Sequence, residues 1–160
     1  VRGCAQGPVD VVLGDARLQL EKVAPASFDL LLVDAFSSDS VPTHLLTVEA
    51  MRVYLRALKP GGVVMLHLSN RNLDLGGPAE AAMRRAGGVA LQQLYYSDEP
   101  NTYLESSSHV LVAARDPATL APYTDSRRWT YLPHEAPPWT DDYVNVAGAI
   151  WSRLKQQHLQ

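Results

Sequence analysis

Three aspartates stand where apolar runs give way to small polar residues. Asp15 closes "VDVVLGD" (9–15), Asp34 closes the apolar run of "FDLLLVDAFSSDSVP" (28–42), and Asp39 follows five residues after Asp34. A carboxylate at the end of a buried run is costly unless it is paired or used. In use, it holds a cation, accepts a proton or receives N–H donors from a ligand. Otherwise it caps a helix or closes a turn. The chemical reading suits Asp34 best. For Asp39 the simpler role is capping the helix that begins near Thr43. A third run, "HLSNRNLDL" (67–75), brings Ser69 and Asn70 to its end, as site-lining or turn residues. His67 lies inside that run and reads as a hydrogen-bonded core imidazole, while His44 and His109 show no partner spacing. Asp141 and Asp142 read as favouring the N-terminus of the last helix through its dipole, and Tyr95, Tyr96 and Tyr103 as packing residues.

The elements that must position these groups follow from periodicity. Five apolar runs are expected as strands, at 9–15, 28–36, 62–69, 90–97 and 109–115. The second, third and fifth are nearly continuously apolar, as in strands covered on both faces, and the fourth alternates like an edge strand. Residues 43–58 carry near-helical apolar spacing with Thr43 as N-cap, and "KPGG" (59–62) ends them. Further helices are expected over 78–86, with Pro78 at the first position, near 16–23 and 117–122, and over 141–157 with a Val146, Ile150 and Leu154 stripe. Residues 98–108 read as a polar substrate loop and 122–140 as an extended cover strip. The resulting fold class is α/β: a Rossmann-like, mostly parallel sheet of about five strands flanked by helices, in a single domain. In such a sheet, ligands bind beyond the carboxyl ends of the strands, where "GDAR", "DAFSSD" and "HLSN" all fall.

Composition narrows the function. The 160 residues suit one domain with a real core. A formal net charge of −3 argues against a nucleic-acid partner. The single cysteine, Cys4, excludes a disulfide framework and a cysteine-based zinc site. No metal is suggested. No run reaches the roughly 18 apolar residues of a membrane helix, and the start lacks the features of a signal peptide, so a cytoplasmic location is expected.

Taken together, "GDAR", "DLLLVDAFSSDSVPTHLLTVEA", "LKPGG", "HLSNRNLDL" and "WTDDYVNV" resemble the spermidine synthase-like family of polyamine aminopropyltransferases. The likeness is greatest to its bacterial branch, often fused to a membrane domain, within the S-adenosylmethionine-dependent methyltransferase-type folds. It covers roughly residues 9–145. It implies transfer of an aminopropyl group from decarboxylated S-adenosylmethionine to an amine such as putrescine. Asp15, with Gly14 and Ala16 beside it, would meet the adenine amino group. Asp34 would be the base or ammonium anchor, with Asp39, Ser69, Asn70 and Tyr143 on the substrate side. Two departures stand out. The family's tight Asp-x-x-Asp-Pro loop is replaced by two acids five apart, with Ser40 after the second. The Gly-rich strand-loop of the full fold does not precede Val9, so the chain is expected to correspond to the C-terminal portion, lacking the first two strands. Either 9–15 then pairs with 28–36 or an apolar edge is left open, which predicts a homodimer. A small-molecule methyltransferase and a catalytically silent binding or assembly domain are the alternatives.

Overall fold

The computed structural model describes residues 7–36, 41–70, 72–96, 107–133 and 136–157, with the side chains of 156 and 157 left out. Helix α1 (Ala16–Lys22) leads to strand β1 (Phe28–Val33). A 3-10 turn (Thr43–Leu45), helix α2 (Val48–Ala57) and strand β2 (Leu58–His67) follow. Then come α3 (Gly76–Arg85), β3 (Val89–Tyr95), β4 (Ser108–Ala114), a 3-10 turn (Pro117–Leu120), α4 (Ala121–Thr124) and α5 (Val146–Gln157).

The sheet has four strands in the order β1-β2-β4-β3. Only β1 and β2 run parallel, and β4 is antiparallel to both of its neighbours. The α/β class of a partial Rossmann-like methyltransferase-type fold therefore holds, with a mixed sheet rather than a mostly parallel one of about five strands. The reason is connectivity: β3 and β4 are adjacent in sequence and pair antiparallel, whereas parallel pairing needs a crossover helix such as α2.

The expected strand over 9–15 does not form. Residues 8–13 have no regular structure, and Val11, Val12 and Leu13 are exposed. A strand needs a neighbour for its N–H and C=O groups, and none of the described strands lies on the free side of β1. Gly14 (φ +130°) turns the chain into α1 instead, and Asp15 is that helix's N-cap.

Helix boundaries shift for local reasons. Helix α2 starts late because Thr47, not Thr43, caps it, its Oγ1 accepting from the Ala50 N–H at 3.3 Å. "LKPGG" does not form a loop after α2; it is the opening of β2. Gly61 sits at φ +76°, and a Cβ on Gly62 would stand 2.9 Å from the Phe28 carbonyl oxygen, so only glycine lets β2 pass this close to β1. Helix α3 begins at Gly76, two residues before Pro78. Helix α5 begins at Val146, with Asn145 accepting from the Gly148 N–H at 2.8 Å, so Asp141 and Asp142 lie too far upstream to serve its N-terminus.

The core lies mainly between one sheet face and helices α2 and α3, built from Val33, Leu46, Met51, Tyr54, Leu66 and Met83 among others. A smaller cluster of Leu91, Val112, Ala114 and Leu120 covers part of the other face. The strip after α4 crosses β3 through a bridge between Gln92 and Thr130 and buries Leu132 and Trp139. Among the described residues no such cover reaches β1, where Leu30 and Leu32 are 55% and 61% exposed. Among the described residues no helix is long and apolar enough to cross a membrane.

Candidate functional site

Strand register assembles the first cluster. In the parallel pair, Leu32 lies opposite Met65 and Val33 opposite Leu66, so the next residues, Asp34 and His67, meet at the carboxyl edge. The Asp34 Oδ1 and His67 Nδ1 are 2.8 Å apart. Two residues on, the Ser69 hydroxyl lies 2.7 Å from His67 Nε2, and its oxygen accepts from the His109 N–H of β4 at 2.9 Å. The Asp34 side chain is 65% exposed and the His67 side chain 40%. His67 is thus not the core imidazole expected: it closes β2 at the open edge, where the burial of the strand ends.

A cavity of about 940 Å³ opens beside this edge. Ser69, Asn70, Gln92, Tyr95, Tyr96 and His109 contribute to its lining, with aliphatic and Pro residues from the cover strip. Asp34 and His67 are not among the lining residues. Asn70 turns the chain there, its Oδ1 accepting from the N–H groups of Asn72 and Leu73 at 2.9 Å. His109 pairs with the Gln92 Oε1 at 3.0 Å, and burial pushes its pKa below the ordinary imidazole value.

A second cluster surrounds Asp15. One carboxylate oxygen accepts from the Leu18 N–H at 2.9 Å and the other lies 2.8 Å from His44 Nε2. The Leu18 N–H foremost, then His44, hold this carboxyl below the usual carboxylate range. Beside it, Arg17 grips Asp141 through two bonds of 2.7 Å, and Thr47 donates to the same carboxylate at 2.8 Å. The guanidinium holds the Asp141 carboxyl low, and Asp141 in turn raises the Arg17 pKa. Asp15, Arg17, Leu18, Glu21, His44 and Asp141 line a cavity of about 470 Å³.

The structure therefore places the expected residues in two groups. Asp34 is linked to Ser69 through His67, and Asn70 lines the same cavity as Ser69. Asp15 and its neighbours Gly14 and Ala16 belong to the other cluster. Tyr143 lines neither cavity; it is exposed and pairs by backbone with Thr140. Asp39 and the 98–106 part of the polar loop lie outside the described residues. The residues missed by sequence reasoning are His67, His44 and the Arg17–Asp141 pair. His67 had a signal: "LLLVD" and "VVMLH" end at matching points if their strands are parallel neighbours. Arg17 and Asp141 are 124 positions apart and carried none.

No known family's sequence pattern matches the chain, and no curated protein is detectably similar to it in sequence. Solved structures are similar in fold. A probable spermidine synthase from Corynebacterium glutamicum superposes with a TM-score of 0.53 at 18% identity, over 84% of this chain and 54% of that one. Spermidine synthase from Thermotoga maritima gives 0.52 at 16% identity, over 94% and 50%. A spermidine synthase in complex with the transition-state analogue AdoDATO gives 0.50 at 15% identity, over 94% and 49%. The chain spans about half the length of these proteins, and what it shares with them is the fold.

Proposed function

We propose that this chain is an aminopropyltransferase-type domain, moving an aminopropyl group from decarboxylated S-adenosylmethionine to an amine such as putrescine. The observation that carries this reading is the placement of Asp34: an accessible carboxylate at the carboxyl edge of the parallel strand pair, steadied by an imidazole. That edge is where open α/β sheets bind ligands, and the fold likeness to spermidine synthases points the same way.

The nucleoside part of the donor is compatible with Asp15. Each of its oxygens accepts one bond, and a carboxylate has about four acceptor positions, so it can still receive an adenine amino group. The donor supplies a carbon activated by the neighbouring sulfonium. An alkylammonium acceptor titrates near the lysine value of about 10, so it must lose a proton before it attacks. Asp34 supplies the negative charge that favours a cationic acceptor near this edge, and the Ser69–Asn70 turn lines the cavity where that acceptor would bind. Asp39 lies outside the described residues, and Tyr143 lines neither cavity, so neither carries a step of this reading.

Calorimetric titration with methylthioadenosine and S-adenosylmethionine tests it. Millimolar or tighter binding of a nucleoside is expected, and Asp34→Asn should remove transfer while sparing that binding. No heat with either ligand sinks the enzyme reading. It would favour a binding or assembly domain, whose supporting observation is the Arg17–Asp141 and Asp15–His44 clasp joining distant segments. We also propose a second copy of this chain as the partner of the β1 edge, because that edge is apolar and unpaired among the described strands.

A further inference from the structure

We infer that Ser69 and His67 form a proton relay between the large cavity and Asp34, so that the nucleophile losing its proton binds at Ser69 rather than at Asp34. The relay itself stands on geometry; only the identity of the nucleophile, an amine, rests on the transferase reading.

The polarity of the chain of bonds is fixed by its two ends. An ionised Asp34 only accepts, so His67 carries a proton on Nδ1, and in its neutral form it presents a lone pair at Nε2. The Ser69 hydroxyl then donates to Nε2. The backbone N–H of His109 donates to the Ser69 oxygen, which fixes the hydroxyl from the other side and leaves it one acceptor position. Ser69 lines the cavity, whereas neither His67 nor Asp34 does, so Ser69 is the member of the relay that a ligand in that cavity meets.

The step balances as a pure proton transfer. A substrate ammonium or N–H in the cavity gives its proton to the Ser69 oxygen while Ser69 passes its own to His67 Nε2. The substrate nitrogen keeps the electron pair it needs to attack. The positive charge formed on the imidazole lies 2.8 Å from the Asp34 carboxylate. An imidazole is also better matched to this task at neutral pH than a carboxylate, whose ordinary value is near 4. His109 of β4 interacts electrostatically with His67, and burial foremost lowers the His109 pKa, with Asp74 and Arg153 also acting on it.

The test is long-range proton–nitrogen NMR on the chain labelled at histidine nitrogen. At pH near 8, His67 is expected as the Nδ1–H tautomer, the minor form of free imidazole, and Asp34→Ala should abolish that preference. In a second, uniformly nitrogen-labelled sample, putrescine titrated to millimolar levels should shift the Ser69 and Tyr95 backbone signals and the His67 Nε2 signal. An Nε2–H tautomer, or putrescine shifts confined to Asp34 or absent, overturns the relay. His67→Asn separates roles: its amide N–H can replace Nδ1–H toward Asp34, but it has no basic nitrogen at the Nε2 position to take the Ser69 proton. It should fold normally and slow transfer about a hundredfold. Full activity in this variant also overturns the relay. An intact tautomer and cavity shifts in a protein that transfers nothing would sink the transferase reading and leave the relay standing.

Discussion

The same residue type does different work at different ends of this molecule. Asp34 stands at a strand end with His67 as its one side-chain partner among the described residues, whereas Asp15 is tied down on both oxygens and Asp141 takes three bonds from Arg17 and Thr47. Asp141 has its folded pKa lowered, so its stabilising contribution is present above the unfolded value near 3.9 and is lost as pH falls through the folded value. The carboxylate is 41% exposed, so solvent screening keeps the ion-pair part below about 1 kcal/mol. Asp141→Asn should flatten the acid limb of a denaturation-versus-pH curve below pH about 4; an unchanged limb would show that the pair is energetically idle. His109 works at higher pH. Its folded pKa is lowered by burial, so the unfolded chain binds the proton more readily and stability falls as pH drops below about 6.5. His109→Gln should remove that fall between pH about 6.5 and 5, as read by urea midpoints.

Helix and strand ends carry the load at the next scale. Thr47 is fully buried and serves twice, accepting from the Ala50 N–H as the cap of α2 and donating to Asp141. Thr47→Ala removes both bonds and should cost about 1–2 kcal/mol, whereas Thr43→Ala, at the position where the sequence suggested the cap, should cost far less. Equal losses in chemical denaturation would contradict the capping assignment. Strand β2 depends on its glycines at the point where it meets the irregular start of β1. Gly62→Ala would push a methyl against the Phe28 and Asp29 carbonyls and should cost about 2 kcal/mol or more. Helix α1 is held mainly from outside: Arg56 of α2 donates to the carbonyls of Leu20, Glu21 and Val23 at its C-terminal end. That arrangement explains how a seven-residue helix with no buried residue keeps its place.

For the whole molecule, the two sheet edges are treated differently. The β3 edge is crossed by the strip through Thr130, while among the described residues the β1 edge is unpaired and flanked by exposed Leu30 and Leu32. If a second copy covers that edge, light scattering should give twice the 17.5 kDa chain mass, and the double variant Leu30→Lys, Leu32→Lys should return it to a monomer. A wild-type monomer at high protein concentration would remove the dimer. The large cavity is lined from the segment after β2, β3, β4, the cover strip and α5, and no β1 residue lines it. Leu30→Lys, Leu32→Lys should therefore leave ligand binding in that cavity unchanged.

The α/β class, the strand identity of β1 through β4 and the clustering of polar groups at the carboxyl ends of β1 and β2 were all legible in the residue order. These are local properties: the period of apolar residues and the chemistry of the residues that end each run. That reading overreached at 9–13, where an apolar run has the composition of a strand but no described strand to pair with. Partners emerged with folding alone. Asp34 meets His67 because β1 and β2 are parallel and in a particular register, Ser69 is fixed by a backbone N–H from β4, and Arg17 finds Asp141 across most of the chain. Periodicity encodes which face of an element is buried. It does not encode which element lies beside it, and the candidate site is made of such neighbour relations.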